Sequence, residues 1–130
     1  MNCSILLQNH DVQLYSWSTF CNISLQELQT TMSSIDPVFS LKSDLYSYLC
    51  TRFPVVRPGA SVSSDFLCYH KIPNQVHSTS AVLLTRGHDT WLDFLAFQRN
   101  CNSNRKAAII TSKDSKKFTF MRISRLKNPC

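Results

Sequence analysis

Residues 23–37 read ISLQELQTTMSSIDP, and the reading of this stretch decides the fold class. Ser24 stands where a helix N-cap belongs. Glu27, three residues on, can reach back to the cap's own amide, and Ile23 and Leu28 supply the matching hydrophobic staple. Leu25, Leu28, Met32 and Ile35 then recur at helical spacing, so an amphipathic helix is expected over residues 25–35. Asp36-Pro37 stops that helix and opens another, with the aspartate as N-cap and the proline at the first helical position. Val38, Leu41, Leu45, Tyr48 and Leu49 carry the apolar stripe toward Phe53, and Pro54 and Pro58-Gly59 end the regular pattern. Two helices this short are marginal alone, so the expected helical hairpin, burying its leucine faces against each other, needs tertiary cover from downstream.

That cover is expected from strands. Residues 66–72 and 81–85 are rich in apolar and aromatic side chains, with a break at Pro73-Asn74 and a turn over residues 86–89. Trp91, Leu92, Phe94, Leu95 and Phe97 form a dense apolar cluster, read as a helix capped by Asp89. Residues 107–111 and 118–123 pair as a hairpin around the polar stretch 112–117, with Phe118, Phe120 and Arg122 on one face and Thr119, Met121 and Ile123 on the other. The expected class is α+β: one small, marginal domain over residues 1–130 with an N-terminal helical hairpin and a C-terminal β-hairpin. The alternative expectation is a largely unfolded chain.

Composition points toward that alternative. The 130 residues include two glycines and one glutamate, Glu27, where about 7% glycine is ordinary. Gly, Ala, Val, Asp and Glu, whose codons all begin with guanine, supply only 22 residues. The inference from this skew is an incidental or dubious reading frame whose product has no selected function. Hydrophobic content of 43% and 14 aromatic residues are nonetheless compatible with a core.

The six cysteines are dispersed without a CxxC pair, residues 1–10 lack a basic leader, and the longest apolar region, 81–97, is broken by Arg86, His88, Asp89 and Asp93. A chain without leader or membrane span, and therefore intracellular by default, is expected.

The one strong electrostatic feature is the segment 99–130, where nine basic residues face Asp114 alone for a net charge of +8. Clustered cations attract phosphate and release counterions, and Phe118 and Phe120 could stack on bases. The second functional reading is thus an accessory protein that binds nucleic acid or anionic surfaces without sequence preference, through Arg105, Lys106, Lys113, Lys116, Lys117, Arg122, Arg125 and Lys127.

Other chemistry fails on its residues. Residues 116–123 miss the small-residue positions of an RNP1 strand at Lys117 and Thr119. Cys68, His70, His77 and His88 have zinc-donor atoms at no standard spacing. Ser103 to Lys106 fits a bare Ser-x-x-Lys pattern without its companion motifs, and there is no GxSxG elbow or phosphate loop. The expectation is accordingly no enzyme, no metal and no cofactor, with no partner assigned beyond nucleic acid under the second reading.

Overall fold

The computed structural model describes residues 14–15, 21–71 and 77–126. Ser24 caps the first helix, α1 (Leu25–Ile35), as its sequence requires: the hydroxyl accepts from Glu27 N at 3.2 Å and the Glu27 carboxylate accepts from Ser24 N at 3.0 Å. Leu25, Leu28 and Met32 are half-buried, whereas Ile35, expected on the covered face, is 72% exposed. Asp36 also caps. Its Oδ1 accepts from Val38 N at 3.1 Å and its Oδ2 pairs with Lys42 at 3.1 Å, so α2 (Phe39–Arg52) starts two residues beyond the proline. Ahead of α1, β1 (Leu14–Tyr15) and β2 (Asn22–Ile23) form a two-stranded antiparallel pair.

Five further strands make one sheet in sequence order: β3 (Val55–Pro58), β4 (Phe66–Tyr69), β5 (Ser80–Leu84), β6 (Ala107–Asp114) and β7 (Lys117–Ile123). Neighbours are antiparallel except β5 and β6, which run parallel and are joined by the third helix, α3 (Trp91–Ser103). A parallel pair needs such a crossover. The fold class is α+β, with three α-helices and a five-stranded sheet among the described residues. The chain separates into two compact units, Met1–Tyr48 and Leu49–Cys130, and the whole five-stranded sheet lies in the second.

Several elements depart from the sequence reading. Strand β3 lies where the prolines predict an end to regular structure. Pro58 closes a four-residue edge strand, a place where a missing N–H costs no ladder bond. The N-cap of α3 is Thr90, not Asp89. The Thr90 hydroxyl accepts from Asp93 N at 3.3 Å and the Asp93 carboxylate accepts from Thr90 N at 2.7 Å, while Asp89 accepts from Arg86 N at 2.5 Å. In the apolar cluster of α3, Phe97 is buried but Trp91 and Leu92 are 67% and 74% exposed. Pairing of β6 and β7 extends to Asp114 and Lys117, turning the expected polar loop into ladder and a tight turn.

The core of the second unit sits between α3 and one face of the sheet. Leu67, Ala81 and Ala108 come abreast on β4, β5 and β6 and are covered by Phe97, Cys101 and Val62, with Tyr69, Leu83, Ile110 and Ile123 packed around them. Burying a ring such as Phe97 contributes on the order of 2–3 kcal/mol. Val56, Cys68, Val82, Leu84 and Thr111, on the alternate positions, are buried as well. The Thr111 hydroxyl, fully buried, donates to the Thr119 carbonyl at 3.0 Å.

Both glycines stand where a side chain is disfavoured. A Cβ on Gly59 would lie 2.0 Å from the Ser64 hydroxyl oxygen, and Gly87 has φ +78°. The remaining left-handed positions among the described residues are filled by Ser63, Arg105 and Ser115. Three of the four left-handed positions among the described residues are thus met without glycine.

No described helix is long and apolar enough to cross a membrane. Residues 1–10, on which the expectation about a leader rests, and the expected break at Pro73-Asn74 lie outside the described residues.

Candidate active site

Three strand ends meet at one end of the sheet. Cys68 lies opposite Ser80, and Ser80 lies beside Ala107. Thr79 fastens this corner, its N–H donating to the Cys68 carbonyl at 3.1 Å and its carbonyl accepting from Ala107 N at 2.9 Å. Continuing the same register by one residue sets Tyr69, Thr79 and Lys106 abreast. His77 lies two residues before Thr79, ahead of β5.

Lys106 owes its position to the end of α3. Arg105 adopts the left-handed conformation at φ 54°, its N–H donates to the Asn102 carbonyl at 3.1 Å, and Lys106 N donates to the Cys101 carbonyl at 2.8 Å. These paired bonds are the Schellman termination of a helix. They turn the chain sharply into β6, and the half-buried Lys106 side chain reaches across to donate from Nζ to the Ser78 carbonyl at 3.3 Å. Ser78 is itself buried, whereas His77 is exposed. The Lys106 ammonium is thereby held against the carbonyl of Ser78, the residue that follows the accessible His77.

Tyr69 completes the group. It ends β4 half-buried, packed against the core around Ala81 and Phe97, with the Arg57 guanidinium 5.8 Å from its ring centroid. A cleft of about 740 Å³ adjoins this corner, lined by Lys106, Arg122, Arg125, Gln98 and Asn102 among others. An imidazole and a phenol are both groups that can donate or accept a proton in catalysis, and a cleft lined by three basic side chains attracts an anionic substrate.

The basic residues singled out by sequence divide accordingly. Lys106, Arg122 and Arg125 line the cleft, and Arg105 is exposed at the turn that delivers Lys106. Lys113, Lys116 and Lys117 lie at the other end of the β6–β7 hairpin, roughly 20–25 Å away along an eight-residue strand. There the Lys113 ammonium stands 5.5 Å from the Phe118 ring centroid. Lys127 lies outside the described residues.

The zinc-donor set does not assemble. Cys68 is fully buried and His70 exposed, with the His70 ring 5.2 Å from that of Phe53, and among the described residues no group of three or more His, Cys, Asp or Glu side chains could hold a metal ion. Burial, reinforced by the neighbouring Cys50, pushes the Cys68 thiol up to about 12, and burial pushes Cys101 up to about 11. Neither is a nucleophile at neutral pH.

Sequence reasoning missed Tyr69 altogether and weighed His77 only as a metal donor. Tyr69, His77 and Lys106 are eight and 29 residues apart, a spacing that follows no helix or strand period; the sheet register, continued by one residue, sets Tyr69 and Lys106 on either side of Thr79, two residues after His77.

Comparison with curated protein sequences gives no significant match. A family model described as tRNA intron endonuclease, catalytic C-terminal domain, does match, over residues 39–120. The matched range holds Tyr69, His77 and Lys106 and ends inside β7. This finding corrects three expectations: an incidental reading frame without function, a nonspecific accessory binder, and a chain that is not an enzyme. The composition that suggested them counts residues without their order, whereas the family is carried by the arrangement of residues across 82 of the 130 positions. The chain belongs to the tRNA intron endonuclease family, through its catalytic C-terminal domain.

Proposed function

We propose that this chain is an endoribonuclease acting on intron-containing tRNA, with Tyr69, His77 and Lys106 as its reacting residues. The observation that supports the reading is the Lys106 bond to the carbonyl of Ser78, the residue after the exposed His77, at the edge of a basic cleft. RNA carries its own nucleophile in the 2′-hydroxyl. Cleavage then needs a proton acceptor at the 2′-oxygen, a proton donor at the departing 5′-oxygen, and positive charge on the phosphorane oxygens between them. Lys106 supplies the charge. His77 donates to the leaving oxygen, and Tyr69, on the far side of Thr79, accepts from the 2′-hydroxyl. The 2′-oxygen to phosphorus bond forms as the phosphorus to 5′-oxygen bond breaks, leaving a 2′,3′-cyclic phosphate and a 5′-hydroxyl.

Arg122 and Arg125, with Lys106, hold backbone phosphates in the cleft. The test is cleavage of an intron-containing tRNA transcript by the purified full chain, with end-group analysis of the products. His77→Ala and Lys106→Ala should each lower the single-turnover rate by about 100-fold or more, in line with the loss of one acid or one oxyanion donor. A 2′-deoxy substitution at the cleaved nucleotide should stop the reaction. Wild-type rates in both variants, or cleavage of the 2′-deoxy substrate, would refute the assignment.

A further inference from the structure

Arg57 stands on the edge strand β3 and takes no part in the chemistry proposed above for Tyr69, His77 and Lys106. Its backbone lies opposite Leu67, and Tyr69 lies opposite Val55, so Arg57 and Tyr69 are diagonal neighbours on one face of an antiparallel pair. That diagonal is within reach of long side chains. The exposed arginine uses it to bring its guanidinium to 5.8 Å from the Tyr69 ring centroid, inside the distance at which a cation is attracted to an aromatic face.

Tyr69 is the last residue of β4 and is only half-buried, so packing from the core constrains one side of the ring. Arg57 adds a second contact, its guanidinium standing over the ring. Pro58 and the tightly packed Gly59 follow directly, and Gly59 N donates to the Asp65 carbonyl at 3.1 Å, fixing the backbone from which Arg57 extends.

We infer that Arg57 is a positioning residue for Tyr69, clamping the phenol ring from the edge of the sheet so that its hydroxyl faces the Lys106 corner. This rests on the proposed role of Tyr69 in RNA cleavage, but the clamp itself is a property of the ring and can be read without activity. A misplacement of about 1 Å at a reacting group can cost about 100-fold in rate, and releasing a partly packed ring on one side costs a fraction of that.

Two measurements test the inference. In protein carrying ¹³C-labelled tyrosine, NMR couplings should show a single Tyr69 χ1 rotamer in the wild type and rotamer averaging in Arg57→Ala; unchanged couplings overturn the clamp whether or not cleavage is observed. In single-turnover cleavage, Arg57→Ala should lower the rate about 10-fold with the half-saturating RNA concentration within about 2-fold, and Arg57→Lys should recover part of the loss. Adding Arg57→Ala to Tyr69→Phe should cost less than about 2-fold more, because the clamp then has no hydroxyl to place. Full additivity in the double variant, or a loss confined to RNA affinity, would show Arg57 to bind phosphate independently and overturn the positioning role. Failure of His77→Ala to affect cleavage would instead refute the underlying reading of the site.

Discussion

Arg105 shows how one residue's backbone governs the site. Its left-handed conformation, φ 54°, closes the Schellman turn that aims Lys106 at Ser78, and a side-chain-bearing residue there costs about 1 kcal/mol relative to glycine. Arg105→Gly should therefore raise stability by about 0.5–1 kcal/mol, measured by urea denaturation, while leaving the cleavage rate unchanged. A destabilised variant would show that the arginine side chain contributes more than the strain it brings.

The buried thiols make a second prediction at this scale. Cys68 and Cys101 are held neutral by burial, so iodoacetamide at about pH 8 should modify the exposed Cys50 and spare both in the folded protein, as read by peptide mass. A thiol whose folded value lies above its unfolded value of 9.0 adds stability below pH 9 and loses it as pH rises toward 12 for Cys68 and 11 for Cys101. Thermal midpoints should accordingly fall above about pH 9.

Among the elements, α3 is the piece on which the sheet depends, since it closes the parallel crossover and its two ends are both specified locally. Its start is a capping box. Thr90→Ala removes the hydroxyl that receives Asp93 N and should cost about 1 kcal/mol in denaturant titration. Hydrogen bonds from Thr90 hold the Asp93 carboxyl below its ordinary value of 3.8. A carboxylate depressed in this way contributes stability above its unfolded value and loses it as pH falls through the folded one, so the wild type should show an acid loss below about pH 4 that Asp93→Asn lacks.

The capping box was legible as Thr-x-x-Asp before an apolar run, yet Asp89 looked the simpler cap because it follows the turn at Gly87. In the structure Asp89 instead receives the Arg86 amide and shapes the turn. Strand β3 was illegible for a related reason. Two prolines mark it as a breaker by local chemistry, and only its place at the sheet edge makes them harmless.

For the whole molecule, the charge of +8 in the last 32 residues divides between two places, a cleft holding Lys106, Arg122 and Arg125 and a hairpin tip holding Lys113, Lys116 and Lys117. If the cleft binds the RNA backbone, replacing Arg122 and Arg125 together with alanine should flatten the slope of log affinity against log salt. For a single-stranded substrate the expected change is about 1.4, at about 0.7 for each phosphate no longer neutralised. Replacing Lys116 and Lys117 should leave that slope unchanged. Equal effects from the two pairs would mean that charge acts without regard to place.

The sequence by itself determined what short-range chemistry can specify: α1 with its Ser24–Glu27 box, the stop at Asp36-Pro37, the hairpin of β6 and β7, and the basic character of residues 99–130. Each of these is fixed by groups within a few residues of one another, where sterics and capping leave few alternatives. Only the tertiary structure decided that Tyr69, Thr79 and Lys106 come abreast. Their meeting depends on the antiparallel pairing of β4 with β5, on the parallel return through α3, and on the turn at Arg105. Pairing partners far apart along the chain are chosen by burial of whole faces, and no local pattern in the residues themselves records that choice.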